Sequence, residues 1–272
     1  MNLFDRLIRR LTLLEESPGV FVGGAGEGGI GGEDRLFGGL VAAQAVMAAQ
    51  NTVDDFPMHS MHSYFLRPGR AGKDIAYHVT AVKDGRNFRS RRVEAWQGGD
   101  CIFQLISSFQ RPEEGVEHQP EMPEATPPED LPNRDQQKGR THWQDMPIDV
   151  RMVTDITANE ARPAEQRLWL KANGEIPDDP ALHLALITYA SDRGLLDTAY
   201  RPHADKGEHA GASLDHSMWF HEPPRFDDWL LFSTIAPVAR SGRGLASGQI
   251  FNRSGRCLVS VAQEGLVRIR HE

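Results

Sequence analysis

Cysteine is nearly absent. Only Cys101 and Cys257 occur in 272 residues, far apart and outside any Cys-x-x-Cys spacing. That excludes a disulfide framework and a thiolate zinc site, and it suits a reducing compartment. No apolar run is long enough to cross a bilayer as a helix, so an integral helical membrane protein is excluded. Positive charge is also short. Thirty Lys and Arg stand against 38 Asp and Glu, a formal charge of −8, which argues against general affinity for nucleic acid. A Gly-x-Ser-x-Gly elbow is missing too. Asp215, His216 and Ser217 are the right residue types for a triad, but consecutive residues cannot form its relay. Eleven histidines occur without a carboxylate cluster. His59 and His62, three apart on a strand, are expected on opposite faces, so a metal site is not expected.

What remains is an ordinary soluble composition, 39% apolar and 25% charged, able to bury a core of one large or two compact domains. Met1 to Glu16 alternates Arg and Asp with Leu, Ile and Phe and reads as an amphipathic surface helix. Arg111 to Gln137 is loaded with Pro and acidic residues and reads as an extended linker. The chain divides there into residues 1–112, a linker 113–138, and residues 139–272.

The two segments resemble each other. The first contains HSMHSYFLRPG (His59–Gly69) and the second LDHSMWFHEPP (Leu214–Pro224). Each continues through period-2 alternation broken by turn pairs, Asp84-Gly85 and Gly98-Gly99 against Ser241-Gly242 and Ser254-Gly255. Each then reaches a Gly-x-Cys and an apolar run. Offsets between these landmarks stay within 155 to 157 residues, which marks an internal duplication. The alternation implies antiparallel hairpins. Ahead of each block lies a run that is apolar nearly all round, Phe37–Gln50 and Ala181–Asp192, as expected of a helix wrapped by other structure. The fold class is α+β: helix, then curved antiparallel sheet, twice.

FGGLVAAQA, HSMHSYFLRPG, DGRNFRSRRV, LDHSMWFH and VAQEGLVR together resemble the type II acyl-CoA thioesterases, a family with a double hotdog fold. The resemblance runs from about Phe37 to Arg268. It implies hydrolysis of medium- to long-chain fatty acyl-CoA to fatty acid and CoA, without a cofactor, by a self-associating homodimer or higher oligomer. It also implies three water-positioning residues: Asp192 closing the second helix, Ser213 at the hydroxyl position, and Gln263 of the Gln-Glu-Gly. Ser213 departs from the Thr commoner in the family; it keeps the oxygen and loses a methyl.

Asp192 follows an apolar run, at the negative end of a helix dipole, where a carboxylate should titrate high and act as a better base. Read alone, it is more often a solvated helix end. Gln263 interrupts an apolar strand and is otherwise an outward-facing residue, and Ser213 alone is a turn serine. Gly38 and Gly39 open the first helix, where backbone N–H groups can polarise a carbonyl or simply allow close packing. Arg86, Arg89, Arg91 and Arg92 form the one dense basic cluster, and Arg86 and Arg91 are the expected holders of the CoA phosphates. Gly24, Gly26 and Gly29 match Gly-x-Gly-x-x-Gly, but the helix starts too late for a dinucleotide fingerprint. Two rivals remain: an acyl-CoA binding protein without hydrolysis, and a hotdog enoyl-CoA hydratase or dehydratase using His183 with Asp192. The final residues, Ile269–Glu272, carry no peroxisomal tripeptide, and the cytoplasm is the expected location.

Overall fold

The computed structural model describes residues 2–26, 35–139, 144, 146–154, 160–207 and 209–269. The N-terminal helix α1 spans Leu3–Leu11 and is capped by Asn2, whose side chain accepts the Asp5 N–H at 2.7 Å. It buries Phe4, Leu7 and Leu11 along one stripe. The helix does not continue to Glu16 as the composition suggested. Pro18-Gly19, with Gly19 at φ 74°, turn the chain between strands β1 (Leu14–Ser17) and β2 (Val20–Gly23) instead.

Helix α2 (Gly38–Gln50) follows, then β3 (Met58–Phe65), β4 (Ile75–Asp84), β5 (Phe88–Gln97) and β6 (Asp100–Gln110). After the Pro-rich segment and the one-turn helix α3 (Arg134–Gln137), the plan repeats. It runs through β7 (Ile148–Met152), β8 (Glu165–Ala172), α4 (Pro180–Ser191), the short α5 (Asp197–Tyr200) and β9 (His209–Ala210). It then continues into β10 (Asp215–Phe220), β11 (Leu230–Arg240), β12 (Arg243–Asn252), β13 (Cys257–Leu266) and β14 (Arg268–Ile269).

Twelve of these strands form one antiparallel sheet, β1-β2-β4-β5-β6-β3-β10-β13-β12-β11-β8-β7. The order is symmetric about the β3–β10 pair, where Met61 faces Met218 and Ser63 faces His216. The duplication therefore appears as two hotdog units fused edge to edge into one sheet. Each unit also has a hairpin ahead of its helix, β1–β2 and β7–β8, that sequence reading missed. α2 and α4 pack against each other inside the curved sheet, with every residue from Gly39 to Ala49 and from Leu182 to Ser191 buried. Alanines at 42, 43, 45, 48 and 49 let the helix axis lie close to its neighbours.

The Pro-rich segment is extended, as its composition implies, yet it is a strap laid on the outer face rather than a free linker. Met122, Ala125 and Leu131 pack on a second apolar cluster of Trp169, Trp229, Leu231, Phe251 and Cys257. Gln119 donates to Gly255 O and accepts the Cys257 N–H, and Trp169 donates to Thr126 O. The strap ends in α3, where Asp135 forms a buried ion pair with Arg193 at 3.4 Å. A few apolar residues spaced along a polar chain were enough, because they cover the Trp169 and Trp229 rings and leave them buried.

Candidate active site

Asp192 is the C-cap of α4, at the negative end of that helix. The fold brings a second helix end to it: the N-terminus of α2 arrives from the other hotdog unit, and the Gly39 N–H bonds the Asp192 carboxylate. Only glycine tolerates this approach. A Cβ at Gly38 would lie 3.1 Å from Asp192 Oδ2, and one at Gly39 would lie 2.7 Å from the Tyr189 carbonyl oxygen. Phe37, the N-cap, makes no side-chain cap bond. The Leu40 N–H reaches Phe37 O, so of the first-turn donors of α2 the Gly38 N–H is the one left for the site.

Gln263 and Ser213 converge on the same carboxylate. β13 places Gln263 inward, fully buried, opposite Ala246 of β12. Its Nε2 donates to Asp192 Oδ1 at 2.7 Å and to Ser213 Oγ at 2.9 Å. Ser213 sits in an isolated bridge to Gly265 and donates to Asp192 Oδ1 at 3.4 Å. Gln263 Oε1 is buried with no partner among the described residues. It is a buried acceptor left unsatisfied.

Electrostatics follow from this packing. Desolvation raises the Asp192 carboxyl to about 6, against the bonds from Gln263, Gly39 and Ser213 that lower it, and Asp197 adds a small upward push. Behind it, Ser191 Oγ donates to Thr188 O at 2.9 Å. Its proton being used there, His216 Nε2, 2.9 Å away, must be the donor to Ser191. Burial pushes His216 down to about 4, so this ring is neutral.

The carboxylate opens on a cavity of about 580 Å³. Phe37, Gly38, Val41, Phe65, Phe103, Leu196, Leu214 and Tyr200 supply most of its apolar wall, with Arg35 and Arg67 at the polar side. An ionisable carboxylate with a raised pKa, an oriented hydroxyl, an amide and one open helix N–H suit water attack on a carbonyl. Sequence reasoning missed the wall contributed by the first unit, Phe65 to Gly69. Within HSMHSYFLRPG these residues mark the internal duplication, and nothing local marks them as a cavity wall.

Other expectations need correction or placement. Arg91 is buried and committed elsewhere. It pairs with Asp84 at 2.8 Å and donates to Thr52 Oγ1 and Thr52 O. It does not line this cavity, and neither does Arg86, exposed in the β4–β5 turn. His59 and His62 do not simply take opposite faces. A register shift at Met58/Ser60 lets His59 bond Ser108, which pairs with Ser60, and His62 lowers the His59 pKa after burial does. Asp215 accepts the Glu264 N–H, His216 points inward, and Ser217 bonds His62, so these three do not act together. His183 is buried nine residues before Asp192, about 13 Å along the helix, and accepts the Phe226 N–H. Cys257 is buried, but Cys101 is half-buried; burial raises both thiols, so neither is a ready thiolate. Of the glycine motif, Gly24 and Gly26 follow β2, and Gly29 lies outside the described residues. Among the described residues there is no cluster of metal-ligand type and no helix long and apolar enough to cross a membrane.

Comparison with known proteins shows the family. Residues 140–266 match the family model described as Acyl-CoA thioesterase, and residues 28–110 match that of its N-terminal domain. The chain is 36% identical to acyl-CoA thioesterase 2 of Haemophilus influenzae, covering 98% of both chains. It is 37% identical to acyl-coenzyme A thioesterase 8 of Mus musculus, covering 87% of this chain and 81% of that one. Among solved structures, an acyl-CoA thioesterase II from Mycobacterium marinum superposes with a TM-score of 0.82 at 35% identity, covering 97% of this chain and 98% of that one.

Proposed function

Because the chain belongs to the acyl-CoA thioesterase family and is a thioester hydrolase, we propose that Asp192, Ser213 and Gln263 together activate the water that cleaves acyl-CoA. The observation that carries this assignment is the convergence of Gln263 and Ser213 on one buried carboxylate at the cavity wall. Asp192 takes a proton from water as the oxygen attacks the thioester carbon. Ser213 Oγ and Gln263 fix the water's orientation, and Gln263 Oε1 accepts its second hydrogen. The carbonyl oxygen gains charge beside the α2 N-terminus. Gly39 N–H already bonds Asp192, so Gly38 N–H, which has no intrahelical acceptor, is the better donor to that oxygen. Collapse of the intermediate breaks the C–S bond, and the proton held by Asp192 passes to the departing thiolate. Fatty acid and CoA result.

The apolar wall of Val41, Phe65, Phe103 and Leu196 supports a medium- to long-chain acyl group. A cytoplasmic location and self-association belong to the same proposal; exposed Tyr64, Ile106 and Trp219 on the outer face of the central strands favour the latter. Mass spectrometry after incubation in ¹⁸O-water with a saturated acyl-CoA and an enoyl-CoA tests the chemistry. The expected result is fatty acid carrying one ¹⁸O and free CoA. Hydration of the enoyl ester, or unchanged substrates, would overturn it. A series of acyl lengths then measures the chain preference.

A further inference from the structure

A second cavity of about 340 Å³ opens beside the first and shares Arg67, Pro68 and Ile102 with it. Its remaining walls are Arg70, Lys73, Gln97, Gly98 and Asp100. Three cations thus meet on one loop, with Arg35 of the first cavity bridged to Arg70, in a chain whose net charge is −8. Among the described residues Arg70 and Lys73 make no ion pair, and Arg67 meets Asp100 only at 3.7 Å.

The loop is built rather than incidental. Gln97, 8% exposed, accepts the Arg70 N–H at 2.7 Å and donates to Arg70 O and Lys73 O. Leu66 and Arg67 N–H groups both reach Ile102 O, and Leu36 N–H reaches Gly69 O. Gly69 allows that packing, since a Cβ there would lie 2.7 Å from Leu36 Cδ1. A buried amide therefore fixes a loop on which Arg70 and Lys73 are exposed, while Arg67 is held by a bond from its Nη1 to Cys101 O at 2.8 Å. Such preorganised cations suit phosphate oxygens.

We infer that Arg67, Arg70 and Lys73 form the subsite for the phosphate groups of the substrate's nucleotide end, with the neutral pantetheine arm lying along the shared wall toward Asp192. The inference rests on the thioesterase reading and assigns a different place from Arg86 and Arg91, which composition favoured.

The test compares two thioesters with the same acyl group, one of CoA and one of pantetheine, which lacks the nucleotide phosphates. In Arg70→Ala/Lys73→Ala the KM for the CoA ester should rise about tenfold or more, the scale of one lost charge-assisted bond. KM for the pantetheine ester and both kcat values should stay within about twofold. Calorimetric affinity for 3′,5′-adenosine diphosphate, which needs no turnover, should fall likewise. If instead Arg86→Ala raises the KM for CoA and the loop variant does not, the subsite assignment is overturned while the thioesterase reading stands. If wild-type protein hydrolyses neither ester, the thioesterase reading is overturned; retained binding of the diphosphate by wild type and its loss in the loop variant would still support the subsite.

Discussion

The two hotdog units carry the same elements, yet the ends of their central helices differ. At the end of α4 stand Asp192 and, on the strand above, Gln263 facing Ala246. At the end of α2 stand Asn51 and Thr52, and the corresponding strand pair is Ser107 facing Arg91. Small Ala246 leaves room over the carboxylate. Arg91 instead fills the equivalent space and locks it to Thr52 and Asp84. The helix starts differ as well. α4 begins with Pro180, which has no N–H, and the Ala181 N–H is taken by Asp179. α2 begins with uncapped Gly38 and Gly39. One end of the helix pair is closed for stability and the other is left open for chemistry. Duplication allowed this division, because each helix end is completed by the other unit's helix start.

Asp192→Asn tests the open end with the largest effect. An amide cannot take the water's proton, so kcat should fall at least about 100-fold, within the usual range for base catalysis. In wild type, kcat/KM should rise with pH through about 6, where Asp192 loses its proton. Stability should move the opposite way. The folded state holds this proton more tightly than the unfolded chain, whose carboxyl titrates near its ordinary value of 3.8. That contribution is therefore full below about 4 and is lost as pH rises toward 6. At neutral pH the Asn variant should then be the more stable, by about 3 kcal/mol, seen as a higher Tm. A fully active Asn variant would end the assignment.

Arg91→Ala tests the closed end. Its guanidinium is 6% exposed while its partner Asp84 is about half exposed, so only part of a buried pair is at stake. A loss of about 2 kcal/mol in unfolding free energy is expected, from two hydrogen bonds and packing. Chemical denaturation measures this. KM for acyl-CoA should not change; a large rise would return Arg91 to the substrate.

Ser213 tests how the open end is tuned. Ser213→Ala removes one polar contact to a reacting water and should lower kcat about 10- to 100-fold with little change in KM. Ser213→Thr keeps the oxygen and narrows χ1, so its kcat should stay within about threefold of wild type. If Ala is as active as Ser, the hydroxyl merely packs.

Much of this contrast was readable from residues. The constant landmark offset located both units, and the apolar runs located both helices. Parity along β5 also held a usable signal: Arg91 shares its face with buried Val93, Ala95 and Gln97. Density of charge in the sequence pointed to Arg86 and Arg91, whereas the cations lining the second cavity are Arg67, Arg70 and Lys73, dispersed around Pro68 and Gly69. Nothing local reveals that a loop is pinned by a glutamine 24 to 27 residues away. The strand β1, exposed along its whole length, has no inward alternation to read. The approach of the α2 N-terminus to Asp192 is purely tertiary, and it is what separates a catalytic helix end from a solvated one.

The smallest expected effect is the most direct trial of the comparison. Asn51→Asp gives the closed end the carboxylate it lacks, on an exposed C-cap. If a carboxylate at a helix end were sufficient, this variant would gain a second site, and in an Asp192→Asn background it would recover turnover. No recovery is expected. Ser107 offers no amide, Arg91 holds the space, and the facing helix start has its donors used. The introduced carboxylate would be solvated and would titrate near its ordinary range, a poor base at neutral pH. Titration with a non-hydrolysable acyl-CoA analogue should give one equivalent per chain in wild type and variant alike. Two equivalents, or any measurable rescue of turnover in the Asp192→Asn background, would show that the two ends are more alike than their hydrogen bonds indicate.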